Sequence, residues 1–483
     1  MPDGPAHDDT TRMLTFAGWD READAIGGGL TAAGVTEGDR VLLPITNAHA
    51  TWFASCFMGV QRAGGICVPT NPRSSQTELR AFAELTGAEW AITDVPELIE
   101  PLRLRGTWAV THPPDDPASL PDQEALDPDA DSDIVGTSGT TGRPKGVVFS
   151  HAELVERIDP AELSKSRSLL HALPFTGYGG SHAVMMTPLR IGSLVITQPQ
   201  FEALGFLDLI TNRRPDSLQL VPAMLRLIVD HPRAAEFDAS SVKWIFTGTA
   251  PLPHDTVERV EELWPRARLI NVYGMTEGSV GAQTTSRDSV RKTGSVGKPA
   301  DRSKVRICDD EGNELPDGEI GEIWTETAKP RRYWNDPEAT AAAWLGGWLR
   351  TGDLGYIDGD GDLILVGRSK ELIIRGGYNI APVEVEDALH AHPLVREAAV
   401  VGVDHPVLGE DVAAAVVLRD RGGLDEQELR AWCDERLADN KVPRVILVVD
   451  SLPYNQNAKV VKADLRPWLQ EAADQRRVAE KGS

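Results

Sequence analysis

The chain has 483 residues, more than one hydrophobic core can organise, so two or more domains are expected. Acidic side chains outnumber basic ones by 73 to 49, a formal charge of −24, which argues against nucleic acid or an anionic membrane surface as partner. Cys56, Cys67, Cys308 and Cys433 are scattered without a C-x-x-C pair, so neither a disulfide framework, a zinc site nor a catalytic thiol is suggested.

The N-terminus, Met-Pro-Asp-Gly-Pro, lacks the basic start and apolar run of a secretion signal. No stretch approaches the roughly 18 apolar residues of a membrane span. The expectation is a cytoplasmic enzyme with reduced cysteines.

In chain order, residues 22–70 read as helix, strand (Arg40 to Pro44), helix (His49 to Gly64) and strand (Gly65 to Pro69). A helix over Glu78 to Leu85 and a strand over Trp90 to Thr93 follow. Such alternation with short Gly/Pro breaks implies parallel sheet. Residues 111–132, rich in Pro, Asp and Ala, read as an exposed connection. A second alternating set runs from Leu169 to Tyr273. Over 294–367 strand-like pieces sit between Gly/Asp turns, the pattern of a small β-subdomain or barrel. After Lys370 the pattern is a compact α+β unit: helix Glu384 to His390, strands Ala398 to Val401 and Val412 to Leu418, helix Asp425 to Ala438.

The most informative run is Thr137-Ser138-Gly139-Thr140-Thr141-Gly142-Arg143-Pro144-Lys145-Gly146. Small residues let backbone N–H groups point into one concavity that binds oxyanions. The hydroxyls add donors, and Lys145 adds charge at the rim. A Walker loop would lead Gly-Lys-Ser/Thr into a helix. Here Pro144 intervenes and Val147 to His151 reads as a strand, so the loop is a strand–loop–strand clamp for a polyphosphate. The alternative is a flexible Ser/Thr/Gly surface linker.

That run resembles the signature loop of the adenylate-forming superfamily: acyl-CoA synthetases, luciferases and the adenylation domains of peptide synthetases. The resemblance continues in order through Thr247-Gly248-Thr249-Ala250-Pro251-Leu252, Tyr273-Gly274-Met275-Thr276-Glu277 and Trp348-Leu349-Arg350-Thr351-Gly352-Asp353. Gly367-Arg368-Ser369-Lys370-Glu371, Arg375-Gly376-Gly377-Tyr378-Asn379-Ile380 and the late Lys459 complete it. It spans about residue 40 to residue 465. It implies an α/β fold: a large N-terminal domain (1–369) of parallel sheets with helices and a small β-subdomain, and a mobile α+β C-terminal lid (370–483) hinged at Lys370.

The resemblance implies a two-step reaction. A carboxylate attacks the α-phosphate of ATP to give acyl-AMP and pyrophosphate; the thiol of coenzyme A then attacks the acyl carbonyl. Lys459 resembles the catalytic lysine that sits between two anions in the first step. Thr137, Ser138, Gly139, Thr140, Thr141, Gly142 and Lys145 are expected to hold the β,γ-phosphates. Glu277, helped by Thr140, is expected to bind Mg²⁺. Gly248, Thr249, Ala250, Asn271, Tyr273, Gly274 and Thr276 form the nucleotide pocket, with Tyr273 stacking on adenine or serving as core. Asp353 and Arg368 take the ribose. Gly376, Gly377, Tyr378 and Asn379 are expected to guide the pantetheine arm. Arg143, Lys145, Arg368, Arg375 and Lys459 are candidates for local basic charge against an acidic background.

Phe175, Thr176, Gly177, Tyr178 and Gly179 resemble the acyl-pocket wall. Its small residues point to a bulky, apolar carboxylic acid, and turn geometry explains the same glycines. Two departures stand out. Gly136 precedes the loop where many relatives carry a bulkier residue. Ala458 replaces the usual glycine before the late lysine. If that position needs left-handed φ, alanine costs roughly 1–2 kcal/mol, about a tenfold loss of the productive pose. Adenylation is then impaired while thioester formation from supplied acyl-AMP survives, with a separate adenylating enzyme as partner; the alternative is competence in both steps. Loading of a carrier protein and non-catalytic acyl-AMP binding are the other readings.

Overall fold

The computed structural model describes the chain except residues 1, 138–144, 156–166, 251, 279–281, 285–291, 293, 328–329, 420–423, 455–459 and 483. Two large sheets form the N-terminal part. The first orders its strands Gly106–Ala109, Trp90–Thr93, Arg40–Pro44, Ile66–Thr70, Asp131–Thr137 and Lys145–Ser150, parallel except for the last pair. These strands are short apolar runs such as Val41-Leu42-Leu43, buried on both faces, as helix-covered parallel sheet requires.

The second sheet has nine strands. Its parallel centre runs Arg268–Tyr273, Trp244–Gly248, Ser217–Gln219, Arg167–His171, Ser193–Thr197 and Pro5–Asp8, with antiparallel strands added at both ends. One apolar cluster runs through both sheets. It joins Ala6 and Leu14 to Val41, Leu43 and Trp90 through helices Phe16–Ala32 and Ala50–Arg62.

Residues 111–132 keep an exposed outer side, but their inner backbone lies on helix Phe16–Ala32. A Cβ on Gly28 would stand 1.9 Å from the Asp116 carbonyl oxygen, and one on Gly29 2.4 Å from Pro114. Only glycine admits that approach.

Strands Val305–Cys308, Gly321–Glu326, Trp344–Leu345, Trp348–Ile357 and Leu363–Arg368 make an antiparallel five-stranded sheet, the expected β-subdomain. Its last strand ends at Arg368, and the next sheet begins with Ile373–Arg375. Lys370 lies between them in the single turn Ser369–Glu371.

The C-terminal sheet comprises Ile373–Arg375, Tyr378–Ile380, Val395–His405, Gly409–Leu418 and Val445–Val448. Its long strands alternate faces with period 2. Val400, Val412, Ala414 and Val416 pack on helices Pro382–His390 and Glu426–Asp434. Ala399, Val401, Ala413 and Ala415 pack on helix Lys462–Gly482. The helix expected over Asp425 to Ala438 stops at Asp434, and the last helix extends well past the motif-bearing region. Among the described residues no helix is long and apolar enough to cross a membrane.

Candidate active site

The expected phosphate loop springs from a hairpin. Thr137 closes one strand, Lys145 opens the next, and the two are paired across the ladder. Ser138, Gly139, Thr140, Thr141 and Gly142 lie outside the described residues, as do Arg143 and Pro144; the loop's two ends are neighbours.

The expected ribose group is assembled from two sheets. Asp353 and Arg368 are cross-strand partners in the small sheet, with Arg368 Nε 3.2 Å from Asp353 Oδ1. Tyr273, at the end of a strand of the nine-stranded sheet, donates its hydroxyl to Asp353 Oδ2 at 2.5 Å. The Tyr273 ring sits among Ala282, Val296, Ile307 and Ile323 and is 8% exposed. Burial pushes its phenol well above the usual value, and the Asp353 carboxylate adds to the rise. The tyrosine is therefore core by its ring and orients the carboxylate by its hydroxyl.

The nucleotide motifs show why they are rich in small residues. A Cβ on Gly248 would stand 2.3 Å from the Val272 carbonyl oxygen. Thr249 adopts φ +71°, a left-handed conformation that a β-branched residue rarely takes. Ala250 follows, half-buried, and Gly274 has open space where a side chain would be. Asn271 faces inward, its amide donating to the Ser295 carbonyl at 3.2 Å.

Glu277 accepts a hydrogen bond from the Tyr333 hydroxyl at 2.8 Å. The Lys145 ammonium lies 4.5 Å from the centre of the same ring. Next to it, Arg331 donates to the Thr276 carbonyl at 2.7 Å and pairs with Glu153 at 2.9 Å. Its guanidinium stacks over Phe149 at 4.2 Å and Tyr178 at 5.3 Å. The segment is held by backbone bonds, Val148 to Arg332 and Trp334 to Gly146. Sequence reasoning missed Arg331 and Tyr333. Their only signal is two cations and two aromatics crowded before the helix start at Asp336-Pro337.

On the acyl side, Phe175 is 1% exposed and stacks on Phe53 at 4.7 Å. It is a core side chain rather than a lining one, because the chain turns inward there. Thr176, Gly177, Tyr178 and Gly179 are partly exposed, and Gly179–Val184 forms a π-helix. A Cβ on Gly180 would meet the Pro174 carbonyl at 2.0 Å. Behind the wall, His182 stands 3.0 Å from Asp133, both essentially inaccessible. Neither facing atom makes an aligned hydrogen bond, so the contact is one of proximity. Gly136 has the Phe82 ring 3.1 Å from where its Cβ would be, leaving no room for a larger residue unless that ring moves.

On the C-terminal domain, Gly376 (φ +58°) and Gly377 (φ +87°) make the two-residue turn between Arg375 and Tyr378, as a tight hairpin needs. Tyr378 and Asn379 are exposed, and Tyr378 leaves 64% of its surface open. Lys459 and Ala458 lie outside the described residues. Lys462, just beyond, pairs with Glu386 at 2.8 Å and with Glu371 in the junction turn at 3.4 Å.

Domain and body meet through charge. Arg419 reaches Asp230 and Asp255, and Arg226 pairs with the same two carboxylates. Burial and the neighbouring carboxylates Glu386, Asp255 and Glu384 push Asp387 up to about 7.

Among the described residues no group of three or more His, Cys, Asp and Glu could hold a metal by itself. Mg²⁺ is commonly bound by one or two carboxylates plus substrate phosphates, so a lone Glu277 beside the phosphate hairpin is a donor set that fits it.

This geometry agrees with comparison to known proteins. The AMP-binding enzyme family matches residues 1–330, and the AMP-binding enzyme C-terminal domain matches 384–459. The chain belongs to the AMP-binding enzyme family, in the acyl-CoA ligase branch of the adenylate-forming superfamily. It is similar to a feruloyl-CoA synthase of Amycolatopsis sp, 34% identical over 463 residues that cover 94% of this chain and 93% of that protein. It is similar also to the long-chain-fatty-acid–CoA ligase FadD13 of Mycobacterium tuberculosis, 32% identical over 479 residues, 95% of this chain and 93% of that one. Among solved structures, ATP-bound MatB from Rhodopseudomonas palustris superposes with a TM-score of 0.85 at 29% identity, covering 97% of this chain and 96% of that chain. Apo MatB reaches 0.75 at the same identity and coverage.

Proposed function

We propose that this enzyme joins a bulky, apolar carboxylic acid to coenzyme A through an acyl-AMP intermediate. The observation that carries the reading is the Tyr273–Asp353–Arg368 group, which presents an oriented carboxylate where a nucleotide ribose would donate two hydroxyls. The paired ends of the phosphate hairpin at Thr137 and Lys145, and Glu277 nearby, supply what a polyphosphate requires: donors, a cation and a metal ligand. Mg²⁺ held by Glu277 would neutralise phosphate charge. Lys459 would bridge carboxylate and α-phosphate in the first step. Gly376, Gly377, Tyr378 and Asn379 would then receive the pantetheine arm after rotation about Lys370, and the exposure of that hairpin supports the reading.

Thr176, Gly177, Tyr178 and Gly179 leave a wall of small side chains with one aromatic face, which supports a bulky apolar acid. A mass-spectrometric screen of carboxylic acids, each supplied free and as its adenylate with coenzyme A, tests the reading. Thioester is expected from at least one bulky adenylate. Failure with every adenylate overturns it.

Ala458 separates the two steps. With Ala458→Gly, pyrophosphate release from ATP and acid is expected to rise about tenfold, while turnover of supplied acyl-AMP stays level. Equal rates in the full reaction before and after the change dispose of the idea.

A further inference from the structure

We infer that Tyr333 is a positioning residue that presents Glu277 and Lys145 to the metal–ATP complex. The inference rests on Glu277 being the metal ligand. The tyrosine stands on the segment that crosses the edge of the six-stranded sheet, fixed by an isolated bridge to Val147 and by a bond from its own backbone N–H to Thr340 Oγ1 at 2.9 Å. That anchoring fixes the backbone from which the side chain projects, and the ring packs against Val135, Val147 and Phe149.

Its hydroxyl donates to Glu277 Oε1 at 2.8 Å, so a metal would be taken by the other oxygen of the same carboxylate. A glutamate on a free chain spreads over many rotamers; one oxygen tied down removes that search before the ligand arrives. The ring serves separately. The Lys145 ammonium sits 4.5 Å from its centre, a cation–π seat that places the charge at the root of the phosphate loop. One side chain thus sets two groups that the sequence holds 132 positions apart.

The two functions separate by substitution. Tyr333→Phe removes the hydroxyl and keeps the ring; Tyr333→Leu removes both. ATP binding to the full chain is measured by calorimetry without acid, once with Mg²⁺ and once with EDTA, and Glu277→Gln serves as reference. For Tyr333→Phe the Mg²⁺-dependent gain in ATP affinity is expected to fall about tenfold, in line with loss of the hydrogen bond that orients a metal ligand. Its affinity in EDTA should stay within about twofold. Tyr333→Leu should weaken both.

If Glu277→Gln abolishes the Mg²⁺ gain and Tyr333→Phe keeps it, the positioning role is overturned and the metal-ligand reading stands. If Glu277→Gln keeps the gain, or wild type shows none, the metal-ligand reading falls and takes this inference with it. An equal loss with and without Mg²⁺ in Tyr333→Phe marks a merely structural tyrosine and also overturns the role.

Discussion

The N-terminal body and the C-terminal domain differ in what holds their parts together. In the body, one apolar cluster ties the six-stranded sheet to the edge strands of the nine-stranded sheet through the helices between them, beside further cores on the sheets' other faces. The C-terminal domain closes two cores of its own, one on each face of its sheet, and meets the body through Arg419, Asp230, Asp255 and Arg226. An apolar union is lost all at once, with the full cost of exposing its surface. Arg419, Asp230 and Asp255 keep part of their surface in water, and such ions exchange partners with water at small net cost; Arg226 is buried and stays with the body. The contrast teaches that the body is tied together by apolar packing, whereas the C-terminal domain has cores of its own and meets the body through charged side chains.

The largest expected effect breaks the frame. Phe57 has no exposed surface and lies in the shared cluster. Phe57→Ala should cost about 3–5 kcal/mol, read by denaturant unfolding of the full chain as one lowered transition. Survival of one large sheet while the other melts would separate what the cluster is taken to unite.

A smaller effect probes the seam by pH. Asp387 titrates at about 7 instead of 3.8, so its folded-state value is raised. Between those two values the unfolded chain has released a proton that the folded chain keeps. Stability therefore falls as pH rises through that window and stays low above it. Asp387→Asn removes the slope. Its unfolding free energy should exceed that of wild type above pH 7 and converge on it near pH 4, a difference on the order of 2–4 kcal/mol. Parallel melting curves across pH would show that this carboxyl keeps its ordinary value.

The smallest effect on stability carries the most about motion. Arg419→Ala should change global stability by less than about 1 kcal/mol, because Arg226 still faces both aspartates. Yet it removes the domain's own cation from the seam. The present arrangement superposes better on ATP-bound than on apo MatB. The variant should therefore slow acyl-AMP formation and speed thioester formation from supplied acyl-AMP, each by roughly twofold to fivefold. Rates that fall together would mean that the ion pairs hold shape rather than orientation.

Much of this was readable in advance. Runs such as Val41-Leu42-Leu43 and Ile66-Cys67-Val68 are apolar throughout, and only a strand buried on both faces uses them so densely. The hairpin around the expected phosphate loop was legible from the apolar, β-branched run Val147-Val148-Phe149 that follows it, which reads as a strand. The first strand, Pro5–Asp8, was missed because His7 and Asp8 look like surface residues. Both are buried, and a turn in which the Asp9 carboxylate accepts from Thr11, Arg12 and Thr51 closes the segment. Tyr273 was legible as either core or site, and it is core by its ring and site-facing by its hydroxyl. Tyr333, Arg331 and the His182–Asp133 contact were not legible, because each joins residues far apart in the chain and no local period marks such a pairing. The stacking of Phe175 on Phe53 was hidden for the same reason, the two being distant in sequence.

Arg331 touches two of the expected site segments: the Thr276 carbonyl, next in the chain to Glu277, and the Tyr178 ring of the expected acyl-pocket wall. A descendant of this enzyme that swaps Tyr178 to admit a different acid disturbs the cation that steadies its nucleotide motif. Changes in acid preference and in nucleotide handling should therefore arrive as linked substitutions around this one guanidinium, and lineages that retune the first without repairing the second should be slow enzymes.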